Sequence, residues 1–416
     1  MKKNDEAQIT ALIKTIITRI APSLECGLFA ALLMIDSIRK ALDIARDFKW
    51  KFWSTAALTQ VGKSKDAIDV MRQAGIVHFD CGGGLFDQHG TEENSEFSRV
   101  SSLDRVLEVY NFLSRRPFLK DVLALVRKND LDGEKVSEAP NNLRQLATGL
   151  ISAYPEDSGL VLEFMAIGFT GIIAQCKAGM AASVAFGLVE MARGVEKACP
   201  PKKYSWFMEM AGKAIAQNQK DEAEAKEIVA KAVENRQFRY VHVPALQRRV
   251  KVLWAVGQSP KIGPISRSKL GRADICVVSR PNGHCQIFGR NIFVTAINPR
   301  LSEFATSDDR LVYRIDMAQV VRLLRIKEAR AAGKRLAGDD WDKLGYVYYE
   351  DGTVCPWYFA EFRTMVANGT QSSPDVPPTK LTVEEIFHII CQALSECSLL
   401  VQDENGDYQP CDSVAA

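Results

Sequence analysis

Three side chains with metal-binding chemistry follow a short apolar run in residues 78–90, HFDCGGGLFDQHG. Asp80 ends the run, and Asp87 and His89 come after three consecutive glycines. Carboxylate oxygens and an imidazole nitrogen are ligands that Mn²⁺ or Mg²⁺ accepts. Because glycine allows sharp turns, the chain can fold Asp87 and His89 back toward Asp80. The pattern therefore predicts a metal site behind a β-strand, and a plain turn with solvated side chains is the alternative.

Composition limits the classes of protein that need to be considered. The 416 residues are 47% hydrophobic, as in ordinary folded proteins, and 53 basic against 51 acidic residues give no whole-chain charge argument for nucleic-acid or membrane binding. The ten cysteines contain no C-x-x-C pair, which favours reduced thiols. The start MKKNDEAQ lacks an apolar secretion core, and the most apolar run, residues 159–174, contains Glu163. We expect a cytoplasmic protein with no membrane span.

The hydrophobic pattern predicts both helices and strands. Apolar residues recur at helical spacing in eight stretches, residues 8–20, 27–38, 101–127, 139–196, 204–238, 245–257, 316–336 and 381–397. Strands are predicted at residues 75–80, 273–280 and 285–288, the last two joined by a Pro-Asn-Gly turn. Thr382 and Glu385 form a capping box for the last helix.

These elements predict an α/β protein of three parts. Residues 1–203 are predicted to form an N-terminal domain with a parallel sheet, in which the candidate ligands after residues 75–80 would take the place where α/β folds bind ligands. Residues 204–300 form a smaller α/β domain. Residues 301–416 form a mainly helical C-terminal extension whose role the sequence does not indicate.

The order of a strand, D-x-G-G, a short spacer and D-x-H resembles the DHH phosphoesterase superfamily. Within it, the closest resemblance is to the metal-dependent protein hydrolase branch, the melanocyte-proliferating-gene family of exonuclease-like proteins. The upstream segment GLFAALLM has the spacing of that family's first-motif helix, and Asp130 lies in VRKNDLDG, which resembles its downstream aspartate segment. The resemblance covers about residues 10–300 and implies a DHH-like first domain and a substrate-gripping second domain.

The resemblance also implies roles for individual residues. Asp80 matches the bridging aspartate, Asp87 and His89 match the outer positions of the DHH triplet, and Asp130 matches the downstream metal ligand. With Asp80 and His89 catalytic, the implied activity is Mn²⁺- or Mg²⁺-dependent phosphodiester hydrolysis. The enzyme is then a phosphoesterase or a 3′ to 5′ exonuclease acting on nucleotides or short nucleic acids.

Three positions depart from the family pattern. Gln88 stands in place of the central histidine of the triplet, Ser23 stands where the first motif has a histidine, and Glu25 is the only carboxylate there to act as a metal ligand. A two-metal site needs more ligands than remain. The alternative is therefore a catalytically degenerate DHH-like protein that binds a nucleotide or a protein partner without hydrolysis.

Two groups of residues are further candidates for ligand contacts. Six residues are predicted to contact substrate, two in the glycine turn and four at the hairpin: Gly83, Gly84, Ser279, Arg280, Gly283 and His284. A solvated hairpin tip is the alternative for the last four. Residues 236–251, RQFRYVHVPALQRRVK, interleave basic and aromatic residues as nucleic-acid-binding surfaces do. The alternative is a helix and a strand with a solvent-exposed face.

Two more predictions concern residues 57–64 and the oligomeric state. Residues 57–64, ALTQVGKS, end like a phosphate-binding loop, but Ala57 replaces its first glycine, which favours a loop or the start of a helix. We also allow for a homo-oligomer, which the sequence neither requires nor excludes.

Overall fold

The computed structural model describes most of the chain in two compact units. The described residues are 12–62, 64–81, 102–103, 116–132, 135–290, 292–295, 310–338, 341, 343–360, 363–370, 373–402 and 408–411. Unit 1 is Met1–Gln219 and unit 2 is Lys220–Ala416.

A three-stranded parallel sheet is the framework of unit 1. Strand β1 (Ile13–Arg19) lies between β2 (Ile44–Trp53) and β3 (Ile76–His78). The predicted strand at residues 75–80 is therefore confirmed, whereas the helical prediction for residues 8–20 is wrong over β1. Helices cover parallel sheets on their faces, so an inner strand carries consecutive buried residues, which imitate helical spacing. The isoleucines and threonines of β1 are typical of strands.

Helices make up most of the remaining described residues of unit 1. They are α1 (Leu24–Leu33), α2 (Asp36–Ala41), α3 (Thr55–Gly62), α4 (Lys65–Gln73), α5 (Phe118–Asp132), α6 (Leu143–Ala153), α7 (Ser158–Lys177), α8 (Ala182–Ala185), α9 (Leu188–Ala198) and α10 (Pro201–Glu234), whose last residues belong to unit 2. The segment that ends like a phosphate-binding loop lies mostly in α3, in agreement with a helix reading.

Helix α7 is the central helix of unit 1. Among the described helices, it is the one long and apolar enough to cross a membrane, yet 72% of its apolar window is buried inside the protein. It packs on α1, α6 and α9. Gly27 of α1 faces Met165 so closely that a Cβ atom there would collide with it, which shows how near α1 lies to α7. This extensive burial explains its mostly apolar sequence, in which Glu163 is exposed.

Unit 2 contains two sheets. The six-stranded sheet has the order β10 (Trp357–Phe359), β11 (Met365–Asn368), β7 (Cys285–Gly289), β6 (Ile275–Ser279), β5 (Arg248–Val256) and β4 (Phe238–Val243), and the four-stranded sheet has β13 (Tyr408–Cys411), β12 (Leu399–Gln402), β9 (Arg310–Ile315) and β8 (Ile292–Thr295). Helices α11 (Ile262–Arg267), α12 (Ala318–Ala332) and α13 (Val383–Leu394) complete it. The β6–β7 hairpin is antiparallel, as predicted, and α13 begins at the predicted capping box of Thr382 and Glu385.

Two predictions for unit 2 differ from the structure. Most of residues 245–257, predicted as a helix, form β5. Val250 and Val252 pack into one core cluster of unit 2, while Leu253 and Ala255 pack on the other side of the sheet. The C-terminal third supplies strands as well as helices, and β11 pairs with β7 in the six-stranded sheet. It is thus not a mainly helical extension. The coarse prediction of a mixed α/β protein with a parallel sheet is confirmed.

Candidate functional site

The carboxyl ends of β1 and β3 meet at one edge of the parallel sheet. In α/β folds, ligands bind at this edge, outside the ends of the strands. Ala21 follows β1 and Asp80 follows β3, and both have left-handed backbone, with φ of 59° each. Such backbone is uncommon for residues other than glycine and clusters at functional sites. This edge is therefore the candidate functional site of unit 1.

The carboxylate of Asp80 is the centre of this site. Its side chain is fully buried, and the Ser23 hydroxyl donates a hydrogen bond of 2.6 Å to Oδ2. The guanidinium of Arg19 lies 3.3 Å from the same oxygen, with one third of its side chain exposed (33%). Arg19 ends β1, so the two parallel strands place the two charges side by side. The ion pair thus presents a positively charged group at the sheet edge.

The first turn of α1 closes the site from the other side. Ser23 caps this helix by accepting a hydrogen bond from the Cys26 amide, while it donates to Asp80. The Cys26 thiol lies 3.0 Å from the Thr18 hydroxyl and 3.5 Å from Asp80. Burial, and then the charge of Asp80, raise the pKa of this thiol far above its usual range. Cys26 is consequently a neutral hydrogen-bonding residue and not a thiolate nucleophile.

His78, the last residue of β3, is a buried imidazole near the site. Only 3% of it is exposed, its ring centroid lies 6.1 Å from that of Trp53, and its Nε2 has no hydrogen-bond partner among the described atoms. Burial lowers the pKa of His78. The imidazole is therefore neutral at neutral pH.

We expect this histidine to make stability depend on pH. Below about pH 6.5 the unfolded chain takes up a proton at His78 that the folded state resists, so stability falls as pH decreases, by at most about 1.4 kcal/mol per pH unit. Urea unfolding at pH 7.5 and 5.5 measures the effect, and His78→Phe removes this part of the pH dependence. If the change from pH 7.5 to pH 5.5 lowered the stability of the wild type and of His78→Phe equally, the prediction would be wrong.

The structure describes the predicted metal ligands only in part. Glu25 is fully buried in the first turn of α1, and α5 contains Asp130, of which only the backbone is described. Asp87 and His89, like Gly83 and Gly84, lie outside the described residues. Within the described part of the chain, no group of three or more His, Cys, Asp or Glu side chains is arranged to hold a metal ion. The convergence of the ligands stays a prediction.

The described contacts of Asp80 all involve one of its two carboxylate oxygens, Oδ2. A metal ion binds the lone pairs of a carboxylate, but Oδ2 of Asp80 already faces the guanidinium of Arg19 and accepts the hydroxyl proton of Ser23. An approaching cation would be repelled by the positive charge of Arg19 at the same oxygen. Ser23 therefore acts as a hydrogen-bond donor to Asp80.

The hairpin residues predicted to contact substrate have structural partners. His284 is buried, with Nε2 2.8 Å from the Val376 carbonyl oxygen and Nδ1 3.2 Å from the Asn282 amide nitrogen. Gly283 adopts φ of +85° in the turn, and the buried Ser279 lies against Cys285. Burial lowers the pKa of Arg280, whose main-chain amide donates to the His284 carbonyl. The substrate roles of these four residues stay predictions.

Residues 236–251 contain β4, a 3₁₀ helix at Pro244–Leu246 and the start of β5. Tyr240 is exposed at the edge of the sheet (59%). Lys251, opposite Tyr240, is buried, donates to the Gly271 carbonyl at 2.8 Å and lies 4.2 Å from the Phe238 ring centroid. Arg248 pairs with Asp274. The nucleic-acid role of this segment stays a prediction, with Lys251 already engaged inside unit 2.

Sequence reasoning missed Thr18, Arg19, Cys26 and His78 as members of the site. The first two were assigned to a helix, where their place at a sheet edge is not visible. The available signal was the β-branched segment IKTIIT followed directly by an arginine, a proline and the Ser23 cap.

Comparisons with known proteins do not define a family for this chain. No family model matches it, and no curated protein matches it. Among solved structures, an uncharacterized protein from Helicobacter pylori G27 is similar over 92% of this chain and 99% of its own, at 10% identity and a TM-score of 0.25. That likeness is too weak to carry an argument about fold or function. The resemblance to DHH phosphoesterases gains no support from these comparisons.

Proposed function

We propose that the site at the carboxyl ends of strands β1 and β3 binds a nucleotide or another phosphate-bearing ligand without hydrolysing it. The observation that carries the proposal is the ion pair of Arg19 and Asp80, with the aspartate buried and the arginine partly exposed. A guanidinium offers planar N–H groups that match phosphate oxygens, and a buried carboxylate fixes its orientation. Asp80 is thus a positioning residue, and Arg19 contacts the ligand.

The helix that begins at this edge supports the same ligand class. Helix α1 starts at Leu24, and its N-terminal amides and dipole favour a negative charge nearby. Ser23 links the helix start to Asp80 through a single hydroxyl. The guanidinium of Arg19, together with the helix terminus, supplies the positive charge that a phosphate would meet.

The competing proposal is the metal-dependent phosphodiester hydrolase implied by the DHH resemblance. It requires Asp80 to bind a metal ion while Arg19 and Ser23 contact its Oδ2. It also depends on Asp87, His89 and the Asp130 side chain, which lie outside the described part of the structure. The contacts of Asp80 favour binding without hydrolysis.

Substitution of Arg19 tests the proposal. We expect Arg19→Gln to weaken the binding of adenosine monophosphate about tenfold or more, because a charge-assisted hydrogen bond contributes about 1.5–3 kcal/mol. Isothermal titration calorimetry in buffer with EDTA gives the affinities. Asp80→Asn is expected to weaken binding less, because it disturbs the orientation of Arg19 and keeps its charge.

Arg193→Gln is the matched control. Arg193 is an exposed arginine of unit 1 that pairs with Glu190 on the surface of α9, so its substitution leaves the site unchanged. Thermal unfolding of each variant verifies that it folds. Equal affinity of the wild type and a folded Arg19→Gln, or no binding by the wild type, contradicts the proposal.

A further inference from the structure

A groove of about 390 Å³ lies beside strand β2 in unit 1. One wall consists of Phe48, Trp50 and Phe52, three aromatic residues at alternate positions of the strand. The other wall comes from the helices and includes Leu33 of α1 and Leu162 of α7. The volume lies within the range of about 300–1,000 Å³ typical of ligand pockets. The lining also includes four charged residues, Asp36, Arg39, Arg46 and Glu163, and the apolar walls between them can bury side chains of a partner.

The strand that forms this wall is at the edge of its sheet. In the described part of the chain, β2 pairs with β1 on one side only. An edge strand presents a row of N–H and C=O groups to which another strand can pair. Since side chains alternate along a strand, the aromatic residues face the groove, and Asp47, Lys49 and Lys51 lie exposed on the opposite face.

We propose that β2 binds an extended acidic segment of a partner protein by strand addition. Its main chain would pair with the outer edge of β2, and its apolar side chains, at every second position, would enter the groove. Main-chain hydrogen bonds supply affinity in this mode of recognition, and pockets for alternate side chains supply specificity. The remaining positions of the segment lie opposite Lys49 and Lys51, where Glu or Asp fits best.

Charge favours this partner over a second copy of the chain. Between residues 46 and 51, the strand carries Arg46, Lys49 and Lys51 against the single acidic Asp47. Two copies of β2 would bring two segments of net positive charge together, which opposes pairing. Lysines on an edge strand commonly prevent such self-association. An acidic segment meets the same lysines with the opposite charge.

Reversal of the charges on β2 and on a peptide tests the inference. The probe is a fluorescent nine-residue peptide with Glu alternating with Val and Phe, and its counterpart has Lys in place of Glu. Fluorescence anisotropy with the full chain is expected to show that Lys49→Glu/Lys51→Glu binds the acidic peptide at least tenfold more weakly and the basic peptide at least tenfold more tightly. The matched control Lys120→Glu/Lys197→Glu, on exposed positions of α5 and α9, binds both peptides like the wild type.

Three results would overturn the inference. One is the absence of binding of the acidic peptide by the wild type. Another is equal binding of an acidic peptide N-methylated at alternate residues, which cannot form the strand hydrogen bonds along one edge. The third is a dimer of the wild type, seen by analytical ultracentrifugation, that Lys49→Glu/Lys51→Glu disrupts, which would assign β2 to a second copy. The inference requires Lys49→Glu/Lys51→Glu to bind the basic peptide more tightly than the wild type does. A misfolded variant cannot produce such a gain in affinity.

Discussion

Gly194→Ala is expected to destabilise the protein by about 3 kcal/mol or more, the upper end of the range for overpacking, because the obstacle is backbone. Helix α9 crosses α7 at Gly194, and a Cβ atom there would lie far closer to the Gly171 carbonyl oxygen than van der Waals contact allows. The two main chains must separate to admit even a methyl group. Since α1, which carries Ser23, packs on the same α7, the loss affects the framework of the candidate site. Urea unfolding gives the difference in free energy.

Gly212→Ala is the matched control for this prediction. Gly212 lies inside helix α10, with nothing within 4 Å of the position of an added Cβ atom. Alanine there is expected to be neutral or stabilising by about 0.4–1 kcal/mol, because it lowers the entropy of the unfolded chain. Equal stabilities of Gly194→Ala and Gly212→Ala would show that α7 and α9 do not approach each other as closely as described.

Arg325→Met is expected to cost about 3–5 kcal/mol, the usual effect of breaking a buried charged network. Arg325 is a fully buried residue of α12, and its guanidinium donates to the carbonyl oxygens of Trp357, Trp341, Lys343 and Gly345. Methionine fills a similar volume but donates no hydrogen bond, so buried carbonyl groups lose their partner. The segment around residue 345 thereby loses its link to α12, while its main-chain hydrogen bonds to Phe359 of β10 remain. Chemical denaturation of unit 2, followed by tryptophan fluorescence, measures this loss.

Arg322→Met, on the exposed face of the same helix, is the matched control and is expected to change stability by less than about 0.5 kcal/mol. Arg325→Lys is expected to restore little, because an ammonium group cannot reach carbonyls on several sides as a planar guanidinium does. If Arg325→Met proved as stable as Arg322→Met, the buried network would have no net role in folding.

Local signals predicted some elements because the sequence alone determines them. The Pro-Asn-Gly turn specifies the β6–β7 hairpin, and Thr382 with Glu385 specifies the start of α13. These interactions join residues only a few positions apart. The strand character of residues 75–80 was equally visible, because glycines end the β-rich run.

Tertiary context decided the elements that sequence reasoning missed. The apolar residues of β1 are buried on both faces of a parallel sheet, so periodicity does not separate this strand from a helix. The site depends on the same context. Asp80 was predicted as a functional residue from its place behind a strand, but its partners Arg19 and Ser23 come from about 60 residues earlier in the chain. Only the parallel pairing of β1 with β3 brings them together.

The metal dependence of nucleotide binding tests the central claim most directly. The affinity of the wild type for adenosine monophosphate is measured in EDTA and in Mn²⁺, together with the release of nitrophenol from bis(4-nitrophenyl) phosphate. Because Arg19 supplies the positive charge at Asp80, we predict equal affinity in both buffers and no release of nitrophenol above that of Asp80→Ala. Binding that requires Mn²⁺, with hydrolysis that Asp80→Ala abolishes, would contradict the account.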